Sequence, residues 1–151
     1  MRERRRLGFQ VRFRNPQALC KAVRVRPLTD DLIAFWRERR LCTVTTLRPD
    51  GSPHTVPMGV VLDPEAQCAW AITSGTSRKA VNLRAGTDQR VSVCQVDGRH
   101  WSTLEGIAEV LDDPESVAEA VRRYAERYKQ PRVNPARVAI RIRLTRVLGN
   151  V

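Results

Sequence analysis

The sequence predicts a mainly β protein, a six-stranded antiparallel β-barrel with peripheral helices. Six segments of the chain are rich in β-branched residues or alternate between apolar and polar side chains. Short turn sequences such as PDGS and DGRH join neighbouring segments, which is typical of antiparallel strands. Three segments have helical features, and we expect them to lie around the barrel.

The first half of the domain begins with a helix and continues as strands. The helix starts at Thr29, a residue suited to the N-cap, and Asp30 and Asp31 place acidic groups in its first turn. Three strands are predicted after it, separated by the turns PDGS and DPEAQ. They cover residues 41–48, 54–62 and 68–74, and the apolar face of the helix consists of Leu32, Ile33, Phe35 and Trp36.

The second half contains two helices and three strands. The short helix RKAVNLRAG ends at Gly86, a residue type favoured just past helix ends. A longer amphipathic helix begins at Asp112 or Asp113, with Pro114 in its first turn, and reaches about Gln130. The strands cover residues 89–96, 101–111 and 137–148. The last strand alternates, so we expect Val138, Ile140, Ile142 and Leu144 to face inward and Arg137, Arg141, Arg143 and Thr145 outward.

The net charge of +11 is concentrated at the N-terminus. Residues 1–26 contain nine Lys and Arg against one acid, Glu3, and therefore carry +8, whereas the rest of the chain carries +3. A basic tail is more often a solvated extension than a reader of nucleic acid. We therefore expect a basic, disordered extension over residues 1–26 and a barrel domain over residues 27–151, with no nucleic-acid partner. Sequence upstream of the true start and a targeting peptide stay open for the extension.

The sequence has no apolar run of the length of a membrane span, and no apolar segment follows the N-terminal arginines. This predicts a cytoplasmic protein that does not act on membranes. Cys20, Cys42, Cys68 and Cys94 occur singly, without a C-x-x-C pair or a nearby histidine cluster. We expect reduced thiols and no metal site.

Few side chains are arranged for catalysis. His54 and His100 are the two histidines, and neither belongs to a nucleophile motif, so a structural or surface role is expected for both. Glu105 and Glu109 lie on one face of one strand, where ion pairs with a neighbouring strand are the expected arrangement. The catalytic residues stay unassigned, and a bound cofactor is expected to supply the chemistry.

One motif is suited to an anion. The segment TSGTSRKAVN, residues 73–82, places hydroxyl groups and Gly75 directly before Arg78 and Lys79, at the start of the short helix. Hydroxyls, a glycine and two cations together are suited to a phosphate. The spacing differs from that of a nucleotide P-loop, so the phosphate need not belong to ATP. The alternative is a capped, solvated helix start.

Several segments together resemble the pyridoxamine 5′-phosphate oxidase-like split β-barrel superfamily. They are LCTVTTLR and DGSPH, SRKAVN, CQVDGRHW and TLEG, RYAERYKQPR with the following NP, and the closing RVLG. The resemblance covers about residues 28–149. Within the superfamily it is greatest to the branch that uses the deazaflavin coenzyme F420, and there to the group of F420-dependent biliverdin reductases. An FMN-binding-like split barrel is the fold that this resemblance implies.

The resemblance also implies which residues bind the cofactor. The cofactor phosphate is expected to contact Ser77, Arg78 and Lys79, with Thr73 and Asn82 close by. F420 carries a phosphodiester and a tail of γ-linked glutamates, so it needs further cations. Arg48, Arg84, Arg99 and Arg143 are available to screen such a tail, although each taken singly is more often part of a surface ion pair.

The ring of the cofactor is expected to lie along Val56, Pro57 and Met58. In the superfamily the site lies at a homodimer interface, and the segment from Gln95 to Trp101 of the second copy is expected to close over the ring.

The implied function is an F420-dependent oxidoreductase that transfers hydride from ring C5 to an unsaturated small molecule, with biliverdin as the leading substrate. Two alternatives stay open. One is an FMN-dependent enzyme of the pyridoxamine-phosphate-oxidase type, and the other is a non-catalytic module that binds a cofactor or a haem-like ligand. The residues identify neither the physiological substrate nor the proton donor.

Overall fold

The computed structural model describes residues 25–86 and 88–151, which form a seven-stranded antiparallel sheet and three helices. The elements are α1 (Asp30–Arg37), β1 (Cys42–Leu47), β2 (Pro53–Met58), β3 (Val60–Asp63), β4 (Cys68–Ser74), α2 (Arg78–Arg84), β5 (Arg90–Asp97), β6 (His100–Leu111), α3 (Pro114–Arg127) and β7 (Arg137–Gly149). The predicted mainly β class with peripheral helices is confirmed.

The predicted number of six strands is wrong, because the segment 54–62 forms two strands instead of one. β2 pairs with β1, where Met58 lies opposite Cys42, whereas β3 pairs with β4, where Val60 lies opposite Ala71. Gly59 lies between them and has no side chain. A Cβ atom there would lie 2.7 Å from the ring of Tyr124 and 2.8 Å from that of Tyr128. The chain therefore changes its strand partner at a residue over which Tyr124 of α3 and Tyr128, directly after α3, pack.

The strand order makes the sheet an incompletely closed barrel. The order is β2-β1-β5-β6-β7-β4-β3, and every neighbouring pair is antiparallel. The two edge strands, β2 and β3, follow one another in the chain, so the edges of the curled sheet meet at Gly59. Within the described residues β2 pairs with β1 alone, and the end of β4 extends beyond β3. A split therefore stays open between β2 and the end of β4.

The core fills the inside of this barrel and follows the predicted alternation of the last strand. The inward residues Val138, Ile140, Ile142 and Leu144 of β7 are all buried, as predicted. The outward Arg141 forms an ion pair with Glu109 of β6 at 2.6 Å, and Arg146 lies 3.7 Å from Glu105. The two glutamates are thus paired with a neighbouring strand, as expected, rather than with each other.

Helices α1 and α2 cover opposite ends of the barrel. The Trp36 indole of α1 donates to the Ser102 hydroxyl at the start of β6, with 3.0 Å between the heavy atoms. On α2, the amide of Asn82 donates to the Thr46 hydroxyl near the end of β1, at 3.0 Å. Both helices begin where predicted, since Thr29 and Ser77 are their N-caps. Side-chain hydrogen bonds thus fix each helix to the sheet.

The first described residues contact the barrel. Val25 packs against the core, and the Arg26 guanidinium donates to the carbonyls of Gly149 and Val151 at 3.3 and 3.4 Å. Both residues belong to the segment for which a disordered extension was expected. For residues 1–24 that expectation lies outside the described part of the chain. No helix of the described residues is long and apolar enough to cross a membrane.

Gly106→Ala is expected to destabilise the protein more than Gly59→Ala. At Gly106, which borders a register shift between β6 and β7, a Cβ would collide with the backbone carbonyl of Arg143, which belongs to the sheet ladder. At Gly59 the collision is with tyrosine rings, which can shift. Overpacking costs about 1–3 kcal/mol, and we place Gly59→Ala within that range and Gly106→Ala at or above its upper end. Urea unfolding of both variants measures this order, and equal losses would contradict it.

Candidate cofactor-binding site

The turn between β4 and α2 is held in shape by its own hydroxyl groups. Thr73 donates to the Ser77 hydroxyl at 3.0 Å, and the Ser77 oxygen accepts a hydrogen bond from the Ala80 amide at 3.4 Å. The amide of Gly75 donates to the Ala136 carbonyl at 2.7 Å, which fixes the turn to the chain before β7. These hydrogen bonds fix the position of the first turn of α2 and of its side chains.

Arg78 and Lys79 are the first residues of α2, and their charges are uncompensated. Within residues 25–86 and 88–151, neither side chain forms a hydrogen bond or an ion pair. Lys79 is half-buried, and burial lowers the pKa of its ammonium group. Arg84 at the other end of the helix differs, since it contacts the Gly75 carbonyl at 3.2 Å and Asp112 at 3.3 Å. The free cations of the helix therefore lie together at the turn.

A histidine of β2 lies beside these cations. Burial is the largest cause of a lowered pKa at His54, and the charges of Arg48, Lys79 and Arg78 lower it further. The Nδ1 atom of the imidazole is buried without a hydrogen-bond partner among the described residues. Arg48 lies in the turn between β1 and β2, where it donates to the Pro53 carbonyl at 2.5 Å. Cations from two parts of the chain thus converge on this histidine.

Asn82 lies beneath this cluster and is 1% exposed. Its amide nitrogen donates to Thr46, but its Oδ1 atom accepts no hydrogen bond from the described residues. A buried acceptor without a partner costs about 1–3 kcal/mol, so the environment of this oxygen suits a group that can donate to it. In the β1–β2 ladder, Thr46 lies opposite His54. The two residues with an unpartnered buried atom, Asn82 and His54, thus both adjoin Thr46.

A groove of about 310 Å³ lies where β2 ends, beside the part of β4 that extends beyond β3. Met58 and Thr73 border it from the two strands, and Thr73 connects it to the turn before α2. Burial alternates along β2, so Val56 shares the inner face with Met58, while Pro57 is exposed on the outer face. The groove is lined by Leu41, Met58, Gly59, Ile72, Thr73, Ser74, Tyr124, Pro131, Asn134 and Arg137.

Gln95 and Trp101 lie apart from this groove within one chain. The Gln95 side chain is completely buried; it donates to the Phe35 carbonyl at 2.7 Å and accepts from Arg127 at 2.5 Å. It also adjoins Cys42, four residues and therefore about 13 Å along β1 from Thr46. Trp101 is 39% exposed on the outer surface. The structure thus brings Thr73, Ser77, Arg78, Lys79 and Asn82 together beside the groove at Met58, but not Gln95 or Trp101.

The described residues offer little support for nucleophilic catalysis or for metal binding. Cys42, Cys68 and Cys94 are free, and burial raises the pKa of the Cys42 and Cys68 thiols. No group of three or more His, Cys, Asp or Glu side chains in this part of the chain lies close enough to hold a metal ion. None of the residues that line the groove carries a carboxyl group.

The surroundings of His54 were not predicted. A structural or surface role was expected for this histidine, because it follows Ser52 and Pro53 at the start of a strand and belongs to no nucleophile motif. The cations that face it belong to α2, more than twenty residues later in the chain. The available signal was the alternation of β2, which places His54 on the same inner face as Val56 and Met58.

An antiparallel split barrel with a cationic turn beside its open seam defines the class of the protein. The model of the pyridoxamine 5′-phosphate oxidase family matches residues 28–150. The chain therefore belongs to this family, as its sequence motifs predicted.

Relatives of known name support this assignment. The chain is 48% identical over 124 residues to an F420H(2)-dependent biliverdin reductase of Mycobacterium tuberculosis, covering 82% of this chain and 88% of the relative. Among solved structures, a conserved hypothetical protein of M. tuberculosis aligns with a TM-score of 0.67 and 31% identity, over 79% of this chain and 81% of that one. An F420 reductase aligns with a TM-score of 0.63 and 22% identity, over 76% of this chain and 94% of that one, which shows the shared fold.

Proposed function

We propose that this protein is an F420-dependent oxidoreductase that reduces an unsaturated bond of a small molecule. The observation that carries the proposal is the 48% identity to an F420H(2)-dependent reductase over most of both chains. When bound, F420 would supply the hydride from C5 of its ring. The protein would supply binding, orientation and the exclusion of water.

The residues beside the turn are suited to the phosphate of such a cofactor. Arg78 and Lys79 offer two cations that are not neutralised by the described residues, and the Ser77 hydroxyl lies between them and Thr73. Charge-assisted hydrogen bonds to a phosphate are stronger than neutral ones. Ser77, Arg78 and Lys79 would therefore bind the phosphate, with Thr73 orienting the Ser77 hydroxyl. Asn82 lies on the same helix, and its unsatisfied oxygen can only accept a hydrogen bond.

The groove along the split is suited to the ring. The free edge of β2 offers backbone groups of residues 56–58, and Val56 and Met58 add apolar side chains from the inner face. Pro57 would contribute through its backbone. Arg137 at the groove would stabilise negative charge that develops on the substrate. Since an arginine keeps its proton, water is the proton donor in this proposal.

A second copy of the chain would complete the site. Val96 and Trp101 lie opposite each other on β5 and β6, and both are exposed, by 58% and 39%. Leu148 is 38% exposed and lies opposite Thr103, two residues from Trp101. This apolar patch, Val96, Trp101 and Leu148, is the surface that we assign to a homodimer. Gln95 would support the patch from inside the barrel rather than contact the ring.

Biliverdin is the substrate that we propose, on the basis of the named relative. Two other functions use the same groove. One is an FMN-dependent oxidase, because the chain belongs to the pyridoxamine 5′-phosphate oxidase family. A non-catalytic module that binds a cofactor or a haem-like ligand would need the same turn and no turnover.

Binding of F420 and of FMN distinguishes these functions. We expect F420 to bind more tightly than FMN in titrations followed by fluorescence, and reduced F420 to be oxidised when biliverdin is added. Tighter binding of FMN would support the oxidase, and F420 binding without turnover by any acceptor would support the module. Equal, weak responses to both cofactors would contradict the proposed function.

Lys79→Ala is expected to weaken F420 binding by one to two orders of magnitude. A hydrogen bond to a charged group contributes roughly 1.5–3 kcal/mol, and the Lys79 ammonium has no protein partner in the described residues that could compete for it. The stability of the cofactor-free protein should hardly change. Isothermal calorimetry and thermal unfolding measure the two quantities, with Lys129→Ala, an exposed lysine after α3, as the matched control. Unchanged affinity in Lys79→Ala would contradict a phosphate site at the turn.

Arg78→Lys is expected to weaken F420 binding less than Arg78→Ala does. The lysine keeps the positive charge but loses the planar fork with which a guanidinium binds phosphate oxygens. Equal affinities of all three proteins would show that Arg78 is a solvated surface residue. The same calorimetric titrations give this order.

Trp101→Glu is expected to convert a dimer into monomers, because it buries a charge in the apolar patch. Sedimentation velocity over a range of protein concentrations measures this change. Val133→Glu is the control, since Val133 is 95% exposed and lies outside the patch. A wild-type protein that is monomeric at all concentrations, or a Trp101→Glu variant that stays dimeric, would contradict the assignment.

A further inference from the structure

The proposed phosphate site does not account for the position of His54. Its side chain lies on the inner face of β2, opposite Thr46 of β1. The charged groups that face it are Arg48 from the turn after β1, and Arg78 and Lys79 from α2. All three are cations, and two of them belong to the proposed phosphate site. A basic side chain is thus held where positive charge is already concentrated.

His54 and Asn82 carry complementary hydrogen-bonding atoms that lack partners among the described residues. The Nδ1 atom of His54 and the Oδ1 atom of Asn82 are both buried without a partner among the described residues. Both residues adjoin Thr46, since its hydroxyl accepts from the Asn82 amide nitrogen at 3.0 Å and His54 lies opposite it in the β1–β2 ladder. An amide oxygen can only accept a hydrogen bond, whereas Nδ1 of an imidazole can carry a proton and donate it. A bridging water, or a small shift of the ring, would satisfy both atoms when Nδ1 carries a proton.

We propose that His54 takes up one proton from solvent when the phosphate of the cofactor binds, and that the resulting imidazolium becomes a third cation of the site, with Nδ1–H directed at Asn82 and Nε2–H at the anion. This inference rests on the proposed function, since it needs a phosphate at the turn. The proton comes from water, and no bond of the cofactor changes. His54 would thereby adjust the charge of the site to the charge of its ligand.

Electrostatic interactions determine whether phosphate binding strengthens or weakens as the pH falls. In the cofactor-free protein, burial and three neighbouring cations lower the pKa of His54 below its ordinary value, so the imidazole is neutral at pH 7. A bound phosphate places negative charge beside the ring and favours the protonated form, which raises that pKa. The affinity for the phosphate therefore rises as the pH falls through the interval between the two pKa values, and His54 adds no pH dependence outside it.

F420 is the suitable probe because its phosphate is a diester. The phosphate of FMN is a monoester whose second ionisation lies near pH 6, where it would take up a proton itself. A diester lacks this second ionisation, so a proton taken up at the phosphate site belongs to the protein. F420 has other acidic groups, and these contribute equally to the wild type and to a His54 variant.

Nuclear magnetic resonance tests the proposal on the wild-type protein. The chain has two histidines, and His54→Gln, which lacks one imidazole, assigns the signals of His54. We expect the imidazole signals of His54 to titrate at a higher pH with F420 than without it. His54 signals that titrate unchanged while F420 is bound would overturn the inference and leave the proposed function standing.

Affinity measurements on variants give the second readout. For the wild type, the dissociation constant of F420 should fall by up to about tenfold per pH unit as the pH falls through the interval between the two pKa values of His54, beyond the change seen in His54→Gln. Lys129→Ala, the exposed lysine used as the control above, should show the same pH dependence as the wild type. Equal pH dependence in the wild type and His54→Gln would overturn the inference. No binding of F420 to the wild type at any pH would instead refute the proposed function, and this inference with it.

Discussion

The change of strand partner at Gly59 is the constraint on which the rest of the fold depends. Here the chain leaves β1 and joins β4, so the two edges of the sheet meet at a residue without a side chain. The Tyr128 hydroxyl donates to the Arg40 carbonyl at 2.8 Å and contacts the backbone of Val60 at 3.2 Å. The junction is therefore held from outside by α3. Because the strands diverge from this point, the groove between β2 and β4 begins beside it.

A single arginine connects this junction to residues inside the barrel. Arg127 of α3 donates to the Val60 and Glu38 carbonyls and to Gln95, which in turn bonds to the Phe35 carbonyl of α1. The guanidinium also lies 5.7 Å from the centre of the Trp36 ring. One buried network thus joins α1, β3, β5 and α3. This network stabilises one end of the molecule, whereas the cations of α2 lie at the other end.

The parts of this structure that depend on local pattern could be predicted from the sequence. The alternation of β7 and the N-caps of α1 and α2 are examples, because they follow from the spacing and chemistry of adjacent residues. The break at Gly59 could not be predicted, since β-branched residues continue on both sides and the tyrosines that require the glycine lie more than sixty residues later, in α3 and at its C-terminal end. The place of Gln95 in the core and the surroundings of His54 likewise depend on residues far away in the chain.

The two prolines of β2 have a consequence for how this protein behaves at high concentration. Pro53 and Pro57 lie opposite Leu47 and Thr43, and a proline fits a paired strand where its nitrogen is directed away from the ladder. The exposed edge of β2 therefore lacks two of the amide donors that an incoming strand would need. Strand addition by another chain, the first step of many aggregates, is hindered at this edge. The seam of the barrel can thus stay open to a small molecule without becoming a template for misassembly.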